Sequence, residues 1–181
     1  MIYTVECGFA APEREDEWNR FYSDVKLPAL ISVTGFASSQ RFRAITAGCP
    51  GYLAVHTVDS LDVLNSAEYR EKGGGTFAQW QSDITDWRRN LYEGPSTAPG
   101  VHPGQNLVLS SAGPESIVLL GLAPTPMRAI AMERWPERRW MATVESASLP
   151  ELCDLAEDLA VYVPMTPQLT PPRATASLQR S

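Results

Sequence analysis

Residues 2–9, IYTVECGF, set β-branched and aromatic residues in a short run that stops at AAPERED, the pattern of a strand entering a turn. From Asp16 the period changes. Trp18, Phe21, Tyr22 and Val25 fall at helical spacing, and Glu15, Asp16 and Glu17 sit where they favour a helix N-terminal dipole. Pro28 pushes Leu27 out of the helical region, so the helix is expected to break or kink there and resume briefly through ALISV. GFASSQRFRAI and GYLAVHTV read as two strands joined by the turn AGCPG, with Arg41 and Arg43 on one face of the first. SLDVLNSAEYREK, with Ser60 as N-cap, predicts a helix ending at the glycines 73–75. FAQWQSDITDWRRNLYEG predicts another, with Trp80, Ile84, Trp87 and Leu91 on its buried face and Gly94 at its end. The order is strand, helix, strand, strand, helix, and a ferredoxin-like unit would need its fourth strand from further along the chain.

The stretch GPSTAPGVHPGQ, residues 94–105, is dense in proline and glycine and marks a linker or long loop. Beyond it NLVLSSAG, SIVLLGLA, MRAIAMERW and RWMATVES are strand candidates, PELCDLAEDLA is a helix candidate and VYVPM a final short strand. Residues 106–165 therefore form a second α+β segment, either a degenerate copy of the first or a supplier of strands to its sheet. The tail from 166 to 181, TPQLTPPRATASLQRS, is polar and proline-rich and is expected to be disordered or draped on a neighbour.

A chain of 181 residues, 44% hydrophobic and 20% charged, can bury a substantial core. Its formal net charge of -6 without a basic run argues against a nucleic-acid surface and favours a small-molecule partner. Cys7, Cys49 and Cys153 lack the spacing of a zinc or redox site and read as reduced and mostly buried, which suggests a cytoplasmic protein. MIYTVECGF has no charged segment leading into a long apolar stretch, and no window approaches a membrane span. Nucleotide-loop, HExxH and GxSxG motifs are absent, and two histidines make a multi-histidine metal site improbable.

The run W..FY.DVKLPALISVTGF.SSQRF, followed by YLAVHTVDS and W...I.DW.RNLY, resembles the dimeric α+β barrel superfamily in its EthD-like branch, over roughly residues 1–93. Pro28, Gly35 and Phe36 match the motif; Lys26 stands where a histidine is usual, which separates this chain from the histidine chemistry of that position. The resemblance implies a ferredoxin-like protomer at residues 1–93, paired with a second copy into a barrel, with a ligand cavity between sheet and helices. Its members span lyases, cyclases, isomerases, monooxygenases, haem enzymes and proteins without known activity, so the chemistry has to be read from residues.

Lys26 follows Tyr22 by four residues and Trp18 by eight, which lays its stem along the aromatic stripe facing the sheet. A desolvated amine has a lowered pKa and can act as base or Schiff-base nucleophile, which an arginine cannot; the bland reading is a lysine snorkelling from a helix end. His56 shares a strand face with Tyr52, Ala54 and Val58, where it serves as proton shuttle, as axial ligand to haem, or simply as a hydrogen-bonded core residue. Arg41 is a candidate anion clamp, with Arg43 beside it as a substrate contact; either could instead pair with Glu6 or Asp24. Glu6 shares a face with Ile2 and Thr4, as a paired charge or a base. Tyr3, Trp18, Tyr22, Tyr52 and Trp87 would suit a flat apolar substrate or form plain core.

The expectation is a homodimeric α+β barrel enzyme acting on an aromatic or conjugated carbonyl compound by a cofactor-free lyase, isomerase or cyclase step. Lys26, His56 and Arg41 are its catalytic residues. The alternatives are a non-catalytic ligand-binding or accessory protein and a haem enzyme with His56 as axial ligand.

Overall fold

The computed structural model describes residues 1–74, 77–151 and 158–172, the side chains of 149–151 excepted. Cys153 and most of the helix candidate PELCDLAEDLA lie outside these residues, as do Gly75 and the end of the tail. The strands are β1 (Ile2–Phe9), β2 (Phe36–Ala44), β3 (Tyr52–Val58), β4 (Ile84–Glu93), β5 (Gln105–Ser110), β6 (Thr125–Met132), β7 (Arg138–Glu145) and β8 (Leu159–Pro164). They close a barrel in the order β1-β3-β2-β8-β5-β7-β6-β4, every pairing antiparallel. Within the first half the spatial order is β4-β1-β3-β2, and within the second it is β8-β5-β7-β6. With β5–β8 matched to β1–β4, the two orders are the same. The halves join where β2 pairs β8 and β4 pairs β6. Both sheets of the barrel thus come from one chain, and each covers the inner face of the other.

Alternation decides what faces where. Tyr3, Val5 and Cys7 of β1 and Tyr52, Ala54, His56 and Val58 of β3 point outward, towards the helical layer. Ile2 of β1, Leu53 and Val55 of β3, Phe42 of β2 and Tyr92 of β4 point into the barrel, where they meet Leu107, Leu109, Met127, Met141 and Tyr162 of the second half. A third cluster, Val108, Ile117, Ala142, Val144, Leu159 and Val161, lies on the outer face of the second half.

The helical run against the first half is nearly continuous. A 3-10 turn (Pro12–Arg14) leads into α1 (Glu15–Phe21), a π-helical segment (Tyr22–Lys26) and α2 (Leu27–Ile31). The expected break at Pro28 does not occur, because the proline falls in the first turn of α2 after the wider π turn, where its missing N–H is tolerated. Gly35 then turns the chain at φ +91° into β2, with no room for a β-carbon beside Val63.

Three other expectations change. The segment 60–72 forms two short helices, α3 (Leu61–Asn65) and α4 (Ala67–Glu71), broken at Ser66, whose backbone is extended and whose hydroxyl caps α4 through the Tyr69 N–H at 3.0 Å. The helix expected over FAQWQSDITDWRRNLYEG is a 3-10 turn (Ala78–Asp83) followed by β4. That strand supplies the missing fourth strand, and pairing on both edges with β1 and β6 outweighs the helical spacing of its apolar residues. SIVLLGLA, read as a strand, holds the short helix α5 (Glu115–Leu119).

The proline-rich stretch 94–105 packs against one end of the barrel. Ala98 and Val101 are buried, their N–H groups bonded to Thr57 Oγ1 and Gln40 Oε1. The described part of the tail is also held: Leu169 exchanges backbone hydrogen bonds with Ser39. No helix among the described residues is long and apolar enough to cross a membrane.

Candidate functional site

The layer between the helical run and the outward face of β1, β3 and β2 brings most of the expected residues together. Lys26 is 7% exposed. Its Nζ donates to Gly73 O at 2.7 Å and lies 4.5 Å from the ring centre of Phe77 and 5.8 Å from that of Tyr22. Burial holds the amine down at about 8, with a small opposing contribution from Cys7. The stripe through Trp18 and Tyr22 therefore does carry the lysine inward, and the π segment ends at the lysine itself.

His56 is fully buried. Its Nδ1 meets Ser39 Oγ at 2.8 Å, its ring stacks on Tyr3 at 5.4 Å, and Phe36 meets it edge-on at 5.5 Å. Nε2 has no partner. Burial, and then the Lys26 charge, push the imidazole down to about 3, so it is neutral near pH 7. A haem on Nε2 would have to displace the packed rings around it, and the residues present do not fit that group.

Arg41 is 1% exposed. It donates to Asn19 O at 3.1 Å, Ser23 Oγ at 3.0 Å and Asn19 Oδ1 at 2.9 Å, tying the helical run to β2. Three rings enclose it, Tyr22 at 4.2 Å, Trp18 at 4.9 Å and Tyr52 at 5.5 Å. No carboxylate pairs with it among the described residues, and burial lowers its pKa. Arg43, expected beside it, is exposed. Glu6 points the other way, into the barrel, and pairs with Arg139 rather than with Arg41 or Arg43.

The tyrosines are held in the protonated form. Tyr3 shares a hydrogen bond of 2.9 Å with Tyr69, and burial raises both Tyr3 and Tyr22 well above the ordinary phenol range. Burial lifts the Cys7 thiol to about 12. Tyr52 donates to Glu15 Oε1 at 2.8 Å and accepts from Asn19 Nδ2 at 2.9 Å. Trp87 packs edge-on against Phe77 at 4.6 Å at the margin of the layer. The gap among Val5, Cys7, Tyr22, Arg41, Tyr52, Leu53 and Ala54 has no room for a water molecule. There, among the described residues, the cavity expected between sheet and helices is closed.

Sequence reasoning missed Cys7 and Phe77 as members of this layer. Cys7 was readable, since it has the parity of Tyr3 and Val5 on β1. Tyr69 and Phe77 flank the Gly73–Gly74 turn, and only the tertiary fold brings them to Lys26 and Tyr3.

No family model matches the chain, and no curated protein matches it in sequence. Solved structures do match it in shape along nearly its whole length. An anthrone oxidase-like protein superposes with a TM-score of 0.54 at 9% identity, covering 93% of this chain and 92% of that one. A monooxygenase-like protein of Fusobacterium nucleatum gives 0.57 at 7% identity, with 92% and 93% covered. A monooxygenase-like protein of Lactobacillus acidophilus gives 0.52 at 10% identity, with 93% and 95% covered. The fold is of the dimeric α+β barrel type.

Proposed function

We propose that this chain is a small-molecule enzyme that needs no cofactor, and that its reaction takes place in the aromatic layer around Lys26 and Arg41. In this reading each half is a ferredoxin-like unit and the first half carries the chemistry. The substrate is an aromatic or conjugated carbonyl compound, flat enough to lie among Tyr22, Phe77 and Trp18. The supporting observation is Arg41: a buried guanidinium whose described partners are neutral oxygens and aromatic faces favours negative charge developing nearby.

Lys26 is the base. With its pKa held at about 8, roughly a tenth of the amine is neutral at pH 7, enough to take a proton from the carbon next to a carbonyl. The resulting enolate is stabilised by Arg41. His56, neutral and bonded to Ser39, orients Tyr3 instead of shuttling protons as its sequence position suggested. The enolate then gives one electron to dioxygen and the resulting pair joins at that carbon as a peroxide, which takes back the proton from Lys26 and loses water to leave a second carbonyl, the outcome favoured by the names of the structural neighbours, or it rearranges in the lyase or isomerase manner. Phe77 and the Gly73–Gly74 turn must yield to admit the substrate. That closed packing is what favours the second reading, a non-catalytic accessory protein.

The test is oxygen uptake and product formation with a panel of polycyclic aromatic ketones, anthrone first. Lys26→Met should lower turnover by about 100-fold or more. Lys26→Arg should do the same, because a guanidinium does not give up its proton at working pH. Borohydride trapping separates the roles: a covalent adduct at Lys26 would make it a Schiff-base nucleophile. Absence of turnover and of any ligand-induced spectral change across the panel would leave the accessory reading standing.

A further inference from the structure

The inside of the barrel holds a second cluster of charged groups that the outer layer does not use. Glu6 of β1 and Arg88 of β4 stand opposite each other in register and face inward. Arg139 of β7 reaches across from the second half, its NH2 2.8 Å from Glu6 Oε1 and its Nε 3.3 Å from Ser111 Oγ. The pair is deeply buried, with side-chain exposures of 6% for Arg139 and 0% for Glu6. Three polar atoms around it, Arg139 NH1, Glu6 Oε2 and Thr4 Oγ1, are buried without a hydrogen-bond partner among the described residues.

A structural role alone accounts poorly for this arrangement. Desolvating two charges offsets most of their attraction, and well-packed apolar residues in their place are often as stable or more so. Unpartnered buried polar atoms add to the penalty. Above the pair lies a cavity of about 270 Å³ at the mouth of the barrel, between the turn after β2 and the turn before β7, with Arg139, Arg88, Ser111, Cys49, Trp135 and Asp158 in its wall. Arg88 lies 4.1 Å from the ring centre of Trp135, which is 62% exposed, and has no carboxylate partner among the described residues. Asp158 is held by the hydroxyls of Ser110 and Ser116 at 3.2 and 2.7 Å.

We propose that this mouth is a binding site for a small planar monocarboxylate, its carboxylate taken by Arg88 above the buried Glu6–Arg139 pair, its flat body lying against Trp135. The charges favour a single anion. Glu6 offsets Arg139, the Asp158 carboxylate is taken up by the Ser110 and Ser116 hydroxyls, and Arg88, without a carboxylate partner among the described residues, is the guanidinium left to meet an anion, whose planar geometry it matches. The cavity has the volume of about nine water molecules in the liquid, so the ligand is small. The opposite end of the barrel is packed by Ala98 and Val101, which leaves this mouth as the way in.

The probe is benzoate, with uncharged benzamide as its control, followed by calorimetry and by amide chemical shifts at Cys49, Ser111 and Trp135. Benzoate should bind saturably and shift those amides; benzamide should not. Arg88→Gln should weaken binding by about tenfold or more, and Trp135→Ala by a smaller factor. Lys26→Met should leave benzoate binding unchanged, so the outcome is independent of the activity assigned to the outer layer. No saturable binding, equal binding of benzamide, or undiminished affinity in Arg88→Gln and Trp135→Ala would each overturn the proposal.

Discussion

From Pro12 to Ile31 an almost unbroken helical run covers the first half of the barrel, while α5, Glu115–Leu119, is the α-helix assigned to the second half among the described residues. The strand orders beneath the two are the same. The longer cover buries Trp18, Tyr22 and Lys26 in a layer deep enough to desolvate an amine and a guanidinium. Its counterpart is a small aliphatic cluster, Val108, Ile117, Ala142, Val144, Leu159 and Val161, with partly buried neighbours at its edge. Equal topology therefore does not give equal chemistry. What perturbs a titratable group is the thickness and polarity of what lies above the sheet.

The coarsest test of the comparison is mass. If the second half replaces the partner copy by closing the barrel in cis, light scattering after size exclusion should give one chain of 19.9 kDa. A clean dimer would mean that another surface, outside the barrel seam, associates.

The next test compares the two covers. Trp18→Ala should destabilise the protein by about 3–5 kcal/mol, since it removes a fully buried ring that contacts Phe9, Tyr22, Tyr52 and Phe77. Ile117→Ala, the corresponding deletion under α5, should fall near the lower end of its class, about 2 kcal/mol, because the smaller cluster can collapse around the lost volume. Denaturant unfolding measures both, and the reverse order would show the second cover to be the tighter one.

These contrasts also explain what was legible in the sequence. The strands β1, β2 and β3 could be read because alternation and turn residues agreed, and the same parity put His56 on the face of Tyr52 and Ala54. Lys26 was placed inward by its spacing from Trp18 and Tyr22. β4 was misread because Trp80, Ile84, Trp87 and Leu91 also fit a helix, and a strand with Arg88 and Asn90 on its inner face and Arg89 and Leu91 on its outer one shows no clean alternation of apolar and polar positions. α5 is too short to display a period. The ion pair of Glu6 and Arg139 spans 133 positions, and no local pattern announces a contact made by barrel closure.

A smaller, pH-dependent effect should arise from the first half. The chain has two lysines, Lys26 and the half-exposed Lys72. The folded state holds Lys26 at about 8 against an ordinary 10.5, so between those values the unfolded chain binds a proton that the folded chain does not. The Lys26 contribution to stability therefore rises with pH through this window, and the penalty for its buried charge is fully present below pH 8. From pH 8 to 10 Lys26 alone contributes a gain of about 2 kcal/mol, which the Cys7 thiol, held at about 12 against an ordinary 9, opposes from about pH 9 upward, so the gain is read as the difference between the parent and Lys26→Met. Above pH 10 the trend reverses, because the unfolded chain ionises Tyr3 and Tyr22 while the folded state keeps their protons. Lys26→Met should remove the rise; a slope retained in that variant would show that the amine is not desolvated.

The smallest effect is expected at α5. Leu119 is 80% exposed and its neighbour Val118 is 55% exposed. An exposed leucine on a short helix has little apolar contact to lose, so Leu119→Ser should change stability by no more than about 0.5 kcal/mol. The value of the measurement lies in its failing. A loss above about 1 kcal/mol would place Leu119 among substitutions that remove buried surface, and something would then have to cover the outer side of α5 in solution. If that loss grew with protein concentration the cover would be a second copy, and if it did not, the cover would belong to the chain itself. Either way the second half would be more deeply packed than its aliphatic cluster shows, and the contrast with the helical run over the first half would narrow.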